Sequence, residues 1–258
     1  MKTFVQNRHD KKLAVVIKES IPPKGLAFVM HGLGGWKEQP HIQTFAQAFI
    51  DNGLTTVLFD AAHTYGESEG DYADATTTNY YEDLEDVINW SKNQKWYAEP
   101  FWLAGHSLGG IATTLYAAKY PDKVKALAPI STVVSGELSR IKYSPEELEN
   151  WERTGWREKP SLSRVGLMKR IKWGEMEDRM RYDLLTEAHT LNMPVLMIVG
   201  DNDDVTPQEH QNLLFEKLPG KKEFHVIKDA PHTFREQGHL DEIKIIFDSW
   251  IKSNLQES

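Results

Sequence analysis

The sequence lacks cysteine altogether, and it contains no long hydrophobic run. Without cysteine the chain has no disulfide framework, no thiolate metal site and no cysteine nucleophile. The longest apolar runs, such as residues 195–199, fall far short of the roughly 20 residues that span a bilayer. The N-terminal residues 1–10 are polar and do not follow the pattern of a signal peptide. These absences favour a cytoplasmic protein that does not insert into membranes.

Positive charge is also in deficit, because 30 Lys and Arg face 38 Asp and Glu, which gives a formal net charge of −8. Such a balance argues against nucleic acid or an anionic membrane as the main partner. The composition is otherwise that of a globular protein, with 40% hydrophobic residues and 27 aromatic side chains, which excludes the disordered class. A length of 258 residues suits one large domain, or one domain that carries a sizeable insertion.

Strand-like runs and helical patterns alternate along most of the chain. Strands are predicted at residues 3–6, 13–17, 26–30, 56–59, 101–104, 124–128, 195–199 and 224–227, and helices at 41–52, 79–93, 108–119, 208–218 and 240–254. The middle runs are apolar throughout, which is typical of parallel strands covered by helices on both faces. The alternation predicts an α/β fold with a right-handed, doubly wound sheet. The first two strands have no helix between them and are predicted to form an antiparallel hairpin at one edge.

The alternation breaks once, between residues 135 and 191, where no convincing strand is present. Residues 140–190 contain 11 basic and 10 acidic side chains, whereas the rest of the chain is strongly acidic. The segment is also rich in Trp and Met, unlike a linker. We therefore expect a core of residues 1–134 and 192–258 and an inserted, mostly helical cap of residues 135–191. The cap's Trp and Met either line a pocket or form the cap's own core.

A G-x-S-x-G pattern at residues 105–109 follows an apolar run and opens a predicted helix. In this motif the serine, here Ser107, is exposed on a tight turn from strand to helix. Glycines flank it because a Cβ atom would clash where the strand and helix backbones converge. Ser107 is therefore the candidate nucleophile, and the alternative is a serine that merely caps a helix.

Residues 31–35, His-Gly-Leu-Gly-Gly, directly follow another predicted strand. An acyl-transfer serine needs two donors that are aimed at the developing oxyanion. The backbone N–H groups of Leu108, after the nucleophile, and of Leu33, in this loop, are the candidates. The alternatives for the loop are an ordinary turn or a phosphate-binding loop, although neither a G-x-G-x-x-G nor a Walker pattern is present.

A serine nucleophile needs a base, and the base needs an orienting carboxylate. Among ten histidines, His232 is the candidate base, because it lies in the loop after the last predicted strand, at the sheet edge where Ser107 is expected. The acid should follow the strand at residues 195–199. Asp201, Asp203 and Asp204 all lie there, and spacing does not separate them.

With these motifs the chain resembles α/β-hydrolase-fold serine hydrolases, in particular bacterial carboxylesterases with a small cap such as feruloyl and cinnamoyl esterases. The resemblance runs from about residue 26 to residue 250 and is weakest through the cap. It implies an eight-stranded, mostly parallel sheet. It also implies Asp203 as the catalytic acid, because the family's acid is usually the third residue after the glycine that closes the strand.

The resemblance implies a carboxylic ester hydrolase that acts on a small-molecule ester through Ser107, His232 and Asp203, without a cofactor or a metal. A thioesterase, a C–C bond hydrolase, a peptidase or an acyltransferase would use the same triad, and a non-catalytic receptor could share the fold. A homodimer is compatible with the sequence. The basic residues Arg164, Lys169, Arg170 and Lys172 either contact a substrate carboxylate or form a solvated helix face.

Overall fold

The computed structural model describes residues 1–161 and 166–255. Its strands are β1 (Lys2–Gln6), β2 (Lys12–Lys18), β3 (Leu26–Met30), β4 (Thr55–Phe59), β5 (Phe101–His106), β6 (Val124–Ile130), β7 (Trp156–Pro160), β8 (Met168–Lys172), β9 (Val195–Gly200) and β10 (Lys222–Ile227). Its helices are α1 (Pro40–Asp51), α2 (Thr77–Ser91), α3 (Leu108–Lys119), α4 (Gly136–Arg140), α5 (Pro145–Thr154), α6 (Gly174–Arg179), α7 (Leu184–Glu187), α8 (Gln208–Lys217) and α9 (Gln237–Leu255). None of these helices is long and apolar enough to cross a bilayer.

Eight strands form one sheet in the order β1-β2-β4-β3-β5-β6-β9-β10. The strand β2 pairs antiparallel with both β1 and β4, and every other pairing in the sheet is parallel. The predicted mostly parallel sheet with an antiparallel hairpin at one edge is therefore confirmed. Because β3, β5, β9 and β10 run in the same direction, the loops after them emerge at one edge of the sheet.

Alternate residues of the central strands pack into two separate apolar layers. In β3, Phe28 and Met30 belong to the layer under α2 and α3, whereas Ala27 and Val29 belong to the layer under α1 and α9. Side chains in a strand point alternately to the two faces, and helices cover both faces here. All five residues of β3 are fully buried, which explains why the run has no polar position.

The segment between β6 and β9 holds α4, α5, α6, α7 and an antiparallel hairpin of β7 and β8. The expectation that this segment contains no strand is therefore wrong. The two strands read Trp-Arg-Glu-Lys-Pro and Met-Lys-Arg-Ile-Lys, so charged side chains occupy both faces. A half-buried strand is detected by alternation of apolar and polar residues, and these strands lack that alternation.

A small apolar core lies where the cap meets the main body, formed by Trp151, Ile171 and Met176 of the cap together with Tyr72 of the main body. Trp151 is fully buried and meets the ring of Trp173 edge to face, with 5.4 Å between the ring centroids. Of the two alternatives, the structure thus favours the cap core for Trp151, Trp173 and Met176, whereas Met168 and Met180 are exposed.

Candidate active site

Ser107 lies on the turn between β5 and α3, with φ 54° and ψ −114°. A positive φ is uncommon for a residue with a side chain and has a cost of about 1–3 kcal/mol. The flanking glycines make the turn possible, because a Cβ atom on Gly105 would lie 2.2 Å from the carbonyl oxygen of Gly109. A Cβ atom on Gly109 would in turn lie 2.4 Å from the carbonyl oxygen of His31. The predicted steric role of both glycines is confirmed.

His232 lies in the loop between β10 and α9, and its ring reaches Ser107 on one side and Asp203 on the other. The distance from Nε2 to Ser107 Oγ is 3.0 Å, and the distance from Nδ1 to Asp203 Oδ2 is 2.8 Å. Since a carboxylate only accepts hydrogen bonds, the Nδ1 atom holds the proton and donates a hydrogen bond to Asp203. The Nε2 atom is then free to accept the hydroxyl proton of Ser107.

Asp203 follows β9 and is the only one of the three candidate aspartates that lies next to His232 and is buried; Asp201 and Asp204 are exposed. Its Oδ1 accepts the backbone N–H groups of Val205 and Thr206 at 2.9 and 2.8 Å. Burial by itself would raise the pKa of Asp203, but attraction to His232 and these hydrogen bonds outweigh burial and hold the pKa well below its usual range. The carboxylate is therefore ionised beside the histidine.

The loop after β3 brings Leu33 to the same cavity as Ser107 and Leu108. The backbone N–H groups of Leu33 and Leu108 have no acceptor among the residues that the structure describes. The hydroxyl of Tyr80 in α2 holds the loop, because it donates to the Gly32 carbonyl at 3.1 Å and accepts the Gly34 N–H at 3.2 Å. Tyr80 thus fixes the residues on both sides of Leu33.

A buried ion pair lies at the far end of this loop. Lys37 and Asp60 have side chains that are 1% and 0% exposed, and 2.8 Å separates Lys37 Nζ from Asp60 Oδ2. Burial alone would lower the pKa of Lys37, but the hydrogen bonds to Asp60, Glu67 and Glu38 raise it above its ordinary value. The same Asp60 carboxylate accepts the backbone N–H of Lys37 at 2.7 Å. The loop is therefore held firmly at both ends.

His106 and His31, two further histidines next to the site, are neutral. His106 donates its Nε2 proton to the carbonyl oxygen of His232 at 2.7 Å, and burial is the main reason that its pKa lies well below the ordinary value. His31 donates from Nδ1 to the Gly32 carbonyl and accepts the Ala61 N–H at Nε2, and burial likewise lowers its pKa. Both rings position backbone rather than exchange protons.

A cavity of about 170 Å³ opens above Ser107 and His232, beneath the cap. None of the cap tryptophans Trp151, Trp156 and Trp173 belongs to its described lining. Instead, the cap contributes Tyr143 and several cationic side chains. Within residues 1–161 and 166–255, no group of three or more His, Asp or Glu side chains is arranged to hold a metal ion.

Sequence reasoning missed Tyr80, Lys37 and the role of His106. Tyr80 is 46 positions from Gly34 along the chain, and only the packing of α2 against the loop brings them together. Of the four basic residues singled out in the cap, Lys169, Arg170 and Lys172 lie on strand β8 rather than on a helix. Arg164 lies outside the described residues.

The sheet order, the strand-to-helix turn at Ser107 and the positions of His232 and Asp203 together define an α/β-hydrolase-fold serine hydrolase. The sequence model of the serine aminopeptidase S33 hydrolase family matches residues 21–159, more than half of the chain, and the chain belongs to that family.

The chain is also similar to individual proteins. The chain is 26% identical to an uncharacterized 31.7 kDa protein of the traX-finO intergenic region of Escherichia coli, over 89% of this chain and 91% of that protein. It is 25% identical to the mitochondrial palmitoyl-protein thioesterase ABHD10 of Bos taurus, over 77% of this chain and 64% of that protein. Among solved structures, Est1E from Butyrivibrio proteoclasticus with ferulic acid bound has a TM-score of 0.83 at 20% identity, over 98% of this chain and 99% of that chain. The predicted fold class is confirmed.

Proposed function

We propose that this hydrolase cleaves carboxylic esters through an acyl-enzyme on Ser107. The observation that carries the proposal is the continuous hydrogen-bonded series from Ser107 Oγ through His232 to Asp203, with distances of 3.0 and 2.8 Å. Nucleophile, base and orienting acid at hydrogen-bond distance are the requirements for acyl transfer by serine. The acid-side hydrogen bond also sets the histidine tautomer that the reaction needs.

In the first half-reaction, Ser107 Oγ attacks the acyl carbon while His232 Nε2 takes the hydroxyl proton. The N–H groups of Leu33 and Leu108 stabilise the oxyanion, and Asp203 stabilises the imidazolium. The C–O bond to the alcohol then breaks, and His232 donates the proton to the leaving oxygen. In the second half-reaction, His232 takes a proton from water, the hydroxide oxygen bonds to the acyl carbon, and the carboxylic acid leaves as Ser107 regains its proton.

A thioesterase is the second candidate, favoured by the similarity to the palmitoyl-protein thioesterase. The same steps would cleave a C–S bond, and the leaving thiolate would need less protonation. An aminopeptidase is disfavoured by charge. The substrate of such an enzyme carries a cationic N-terminus, whereas six Lys and Arg side chains and a single carboxylate, Asp204, belong to the described lining of the cavity above Ser107.

The test is hydrolysis of p-nitrophenyl esters of rising acyl length, methyl ferulate and a palmitoyl thioester by the parent and by Ser107→Ala. We expect many turnovers per molecule of the parent enzyme and a loss of about 10³-fold or more in kcat for the variant. A serine-directed phosphonate should label Ser107 in the parent. Labelling of another serine with loss of activity would contradict the assignment, and release of a single product molecule per protein would indicate a receptor.

A further inference from the structure

The cavity above Ser107 has a charge opposite to that of the whole chain. Six cationic side chains line it, namely Lys142, Arg157, Lys159, Lys169, Arg179 and Arg235. Asp204 is the one non-triad carboxylate of its described lining. The chain as a whole has a formal net charge of −8. A concentration of positive charge in a concave site of an acidic protein raises the local concentration of anionic ligands.

The hairpin of β7 and β8 separates its charges by face. On the outer face, Glu158 lies opposite Arg170, and the two form an ion pair of 3.0 Å. On the inner face, Lys159 lies directly opposite Lys169, and both line the cavity. Like charges directly opposite each other destabilise a strand pair. Only the face that meets the cavity has this unfavourable arrangement.

Several of the cavity cations also lack acidic partners. Neither Lys142 nor Arg157 makes an ion pair with a carboxylate in the described part of the chain. Arg157 instead stacks on aromatic rings, with Cζ 4.4 Å from the Trp151 ring centroid and 4.8 Å from that of Tyr143. Its buried Nε atom has no hydrogen-bond partner among the described residues. Lys142 and Arg157 are both half-buried. A cation that is partly removed from water without a counter-charge has a cost, which an anionic ligand would offset.

Arg179 and Lys142 are two of the cavity cations that are fully or partly removed from water. Arg179 is 5% exposed and pairs with the buried Glu175, yet its Nε atom also lacks a partner within the described residues. Burial, and next the charges of Arg179, Lys159 and Arg157, lower the pKa of Lys142 to about 7, although Glu175 acts in the opposite direction. The cavity thus holds more positive charge than its own carboxylates balance.

From these contacts we infer that the substrate is an anionic ester, in which a carboxylate on the acyl or the alcohol part binds the cationic wall formed by Lys142, Arg157 and Lys159 while the ester carbonyl meets Ser107. The inference rests on the proposed esterase function and specifies its substrate class. The carboxylate would accept hydrogen bonds from ammonium and guanidinium donors.

Two matched ester pairs test this. The acyl pair is p-nitrophenyl hydrogen adipate against p-nitrophenyl hexanoate, which differ by a carboxylate in place of a methyl group. The alcohol pair is 4-carboxyphenyl acetate against 4-carbamoylphenyl acetate, whose leaving groups are similar. In at least one pair we expect kcat/KM of the anionic member to exceed that of the neutral member by about tenfold to a hundredfold, the range of one charge-assisted hydrogen bond. The preference should weaken as salt is added, because salt screens charges.

The variants Lys142→Gln and Arg157→Gln locate the effect, and Arg170→Gln on the outer face of the same hairpin is the matched control. Each cavity variant should lower the ratio of anionic to neutral kcat/KM by about tenfold, whereas Arg170→Gln should keep the parent ratio. If one of the two cavity variants does not fold, the other still decides the test. A ratio that stays at the parent value in every cavity variant that folds would overturn the inference.

The failure of the inference and that of the esterase function are distinguishable. If the neutral esters are hydrolysed and neither anionic ester is preferred, the substrate class is wrong while the function stands. If none of the four esters is hydrolysed, protection of Ser107 from phosphonate labelling still tests the cationic wall. Adipate monoamide should then protect Ser107 at about tenfold lower concentration than hexanamide does, and equal protection would overturn the inference.

Discussion

The hydroxyl group of Tyr80 offers a test of how the oxyanion loop is held. The substitution Tyr80→Phe removes one oxygen and leaves the volume of a fully buried side chain nearly unchanged. The Gly32 carbonyl keeps two other donors, His31 Nδ1 at 2.8 Å and the Gly35 N–H at 2.9 Å. The Gly34 N–H, in contrast, loses the acceptor that the structure gives it.

The magnitude follows from that single orphaned group. A buried donor without a partner costs about 1–3 kcal/mol, and we expect the free energy of unfolding to fall by that amount. Gly34 is also the residue after Leu33, so its release lets the proposed oxyanion donor shift. Complete removal of an oxyanion donor costs about 10²–10³-fold in kcat. A displaced donor should cost less, and we expect kcat to fall about tenfold with little change in KM.

Urea unfolding and ester hydrolysis of the same preparations measure both effects. Tyr81→Phe is the matched control, because Tyr81 lies on the same helix and its hydroxyl donates to Glu85, away from the loop. Because the acceptor is a carboxylate, that variant should lose up to about 1.5–3 kcal/mol of stability, but it should keep the parent kcat. The kcat value therefore separates the two variants. If Tyr80→Phe unfolds at the parent urea concentration and retains kcat, the hydroxyl does not hold the loop.

Two further predictions concern Asp203. Asp203→Asn should lower kcat for ester hydrolysis by about 10³–10⁴-fold, because it favours the wrong histidine tautomer. Asp204→Asn, at an exposed position, should keep kcat within a few-fold. If Asp204→Asn loses more activity than Asp203→Asn, Asp203 is not the catalytic acid. Because the folded-state pKa of Asp203 lies well below its usual range, its contribution to stability is complete above about pH 4 and is lost as the pH falls toward the folded value. The stability difference between parent and Asp203→Asn, from urea unfolding at pH 6 to 3, should therefore shrink in acid, and a constant difference would contradict this.

The features that the sequence predicts well are those that depend on a few neighbouring residues along the chain. The strand β3 is an uninterrupted apolar run because both its faces are buried, and Ser107 stands between glycines that the converging backbones require. The catalytic acid is not identified by such a pattern, since the spacing alone fits three aspartates equally well. The structure separates them by burial, because only Asp203 turns inward to His232 while Asp204 remains exposed.

Features that depend on contacts between residues far apart along the chain are not predicted by such local patterns. Tyr80 looks like one more aromatic residue on an amphipathic helix until α2 packs against the loop after β3. The hairpin in the cap escapes detection for another reason: its inner face meets the cavity as well as the small apolar core of the cap. Arg157, Lys159 and Lys169 therefore stand beside Ile171 where a half-buried strand would have only apolar residues. Cationic residues on the cavity side of a strand thus erase the periodicity that reveals it.

The near neutrality of residues 140–190 in composition conceals a concentration of positive charge at the cavity. The glutamates of α5, which are Glu146, Glu147, Glu149 and Glu152, are all exposed, and so is Glu158 on β7. Five of the six cavity cations come from this same segment, and Arg235 alone comes from the loop that holds His232. A solvated cap would distribute both signs over its surface, since ion pairs there need no particular side. The outer surface does carry both signs, because the segment's other described basic residues, Arg140, Arg153, Arg170, Lys172 and Arg181, are exposed as well. The one-sided charge is confined to the cavity, where Asp204 is the one carboxylate of the described lining. Under the proposed function, this positive field would act on the reacting ester while the chemistry takes place at the strand ends beneath it.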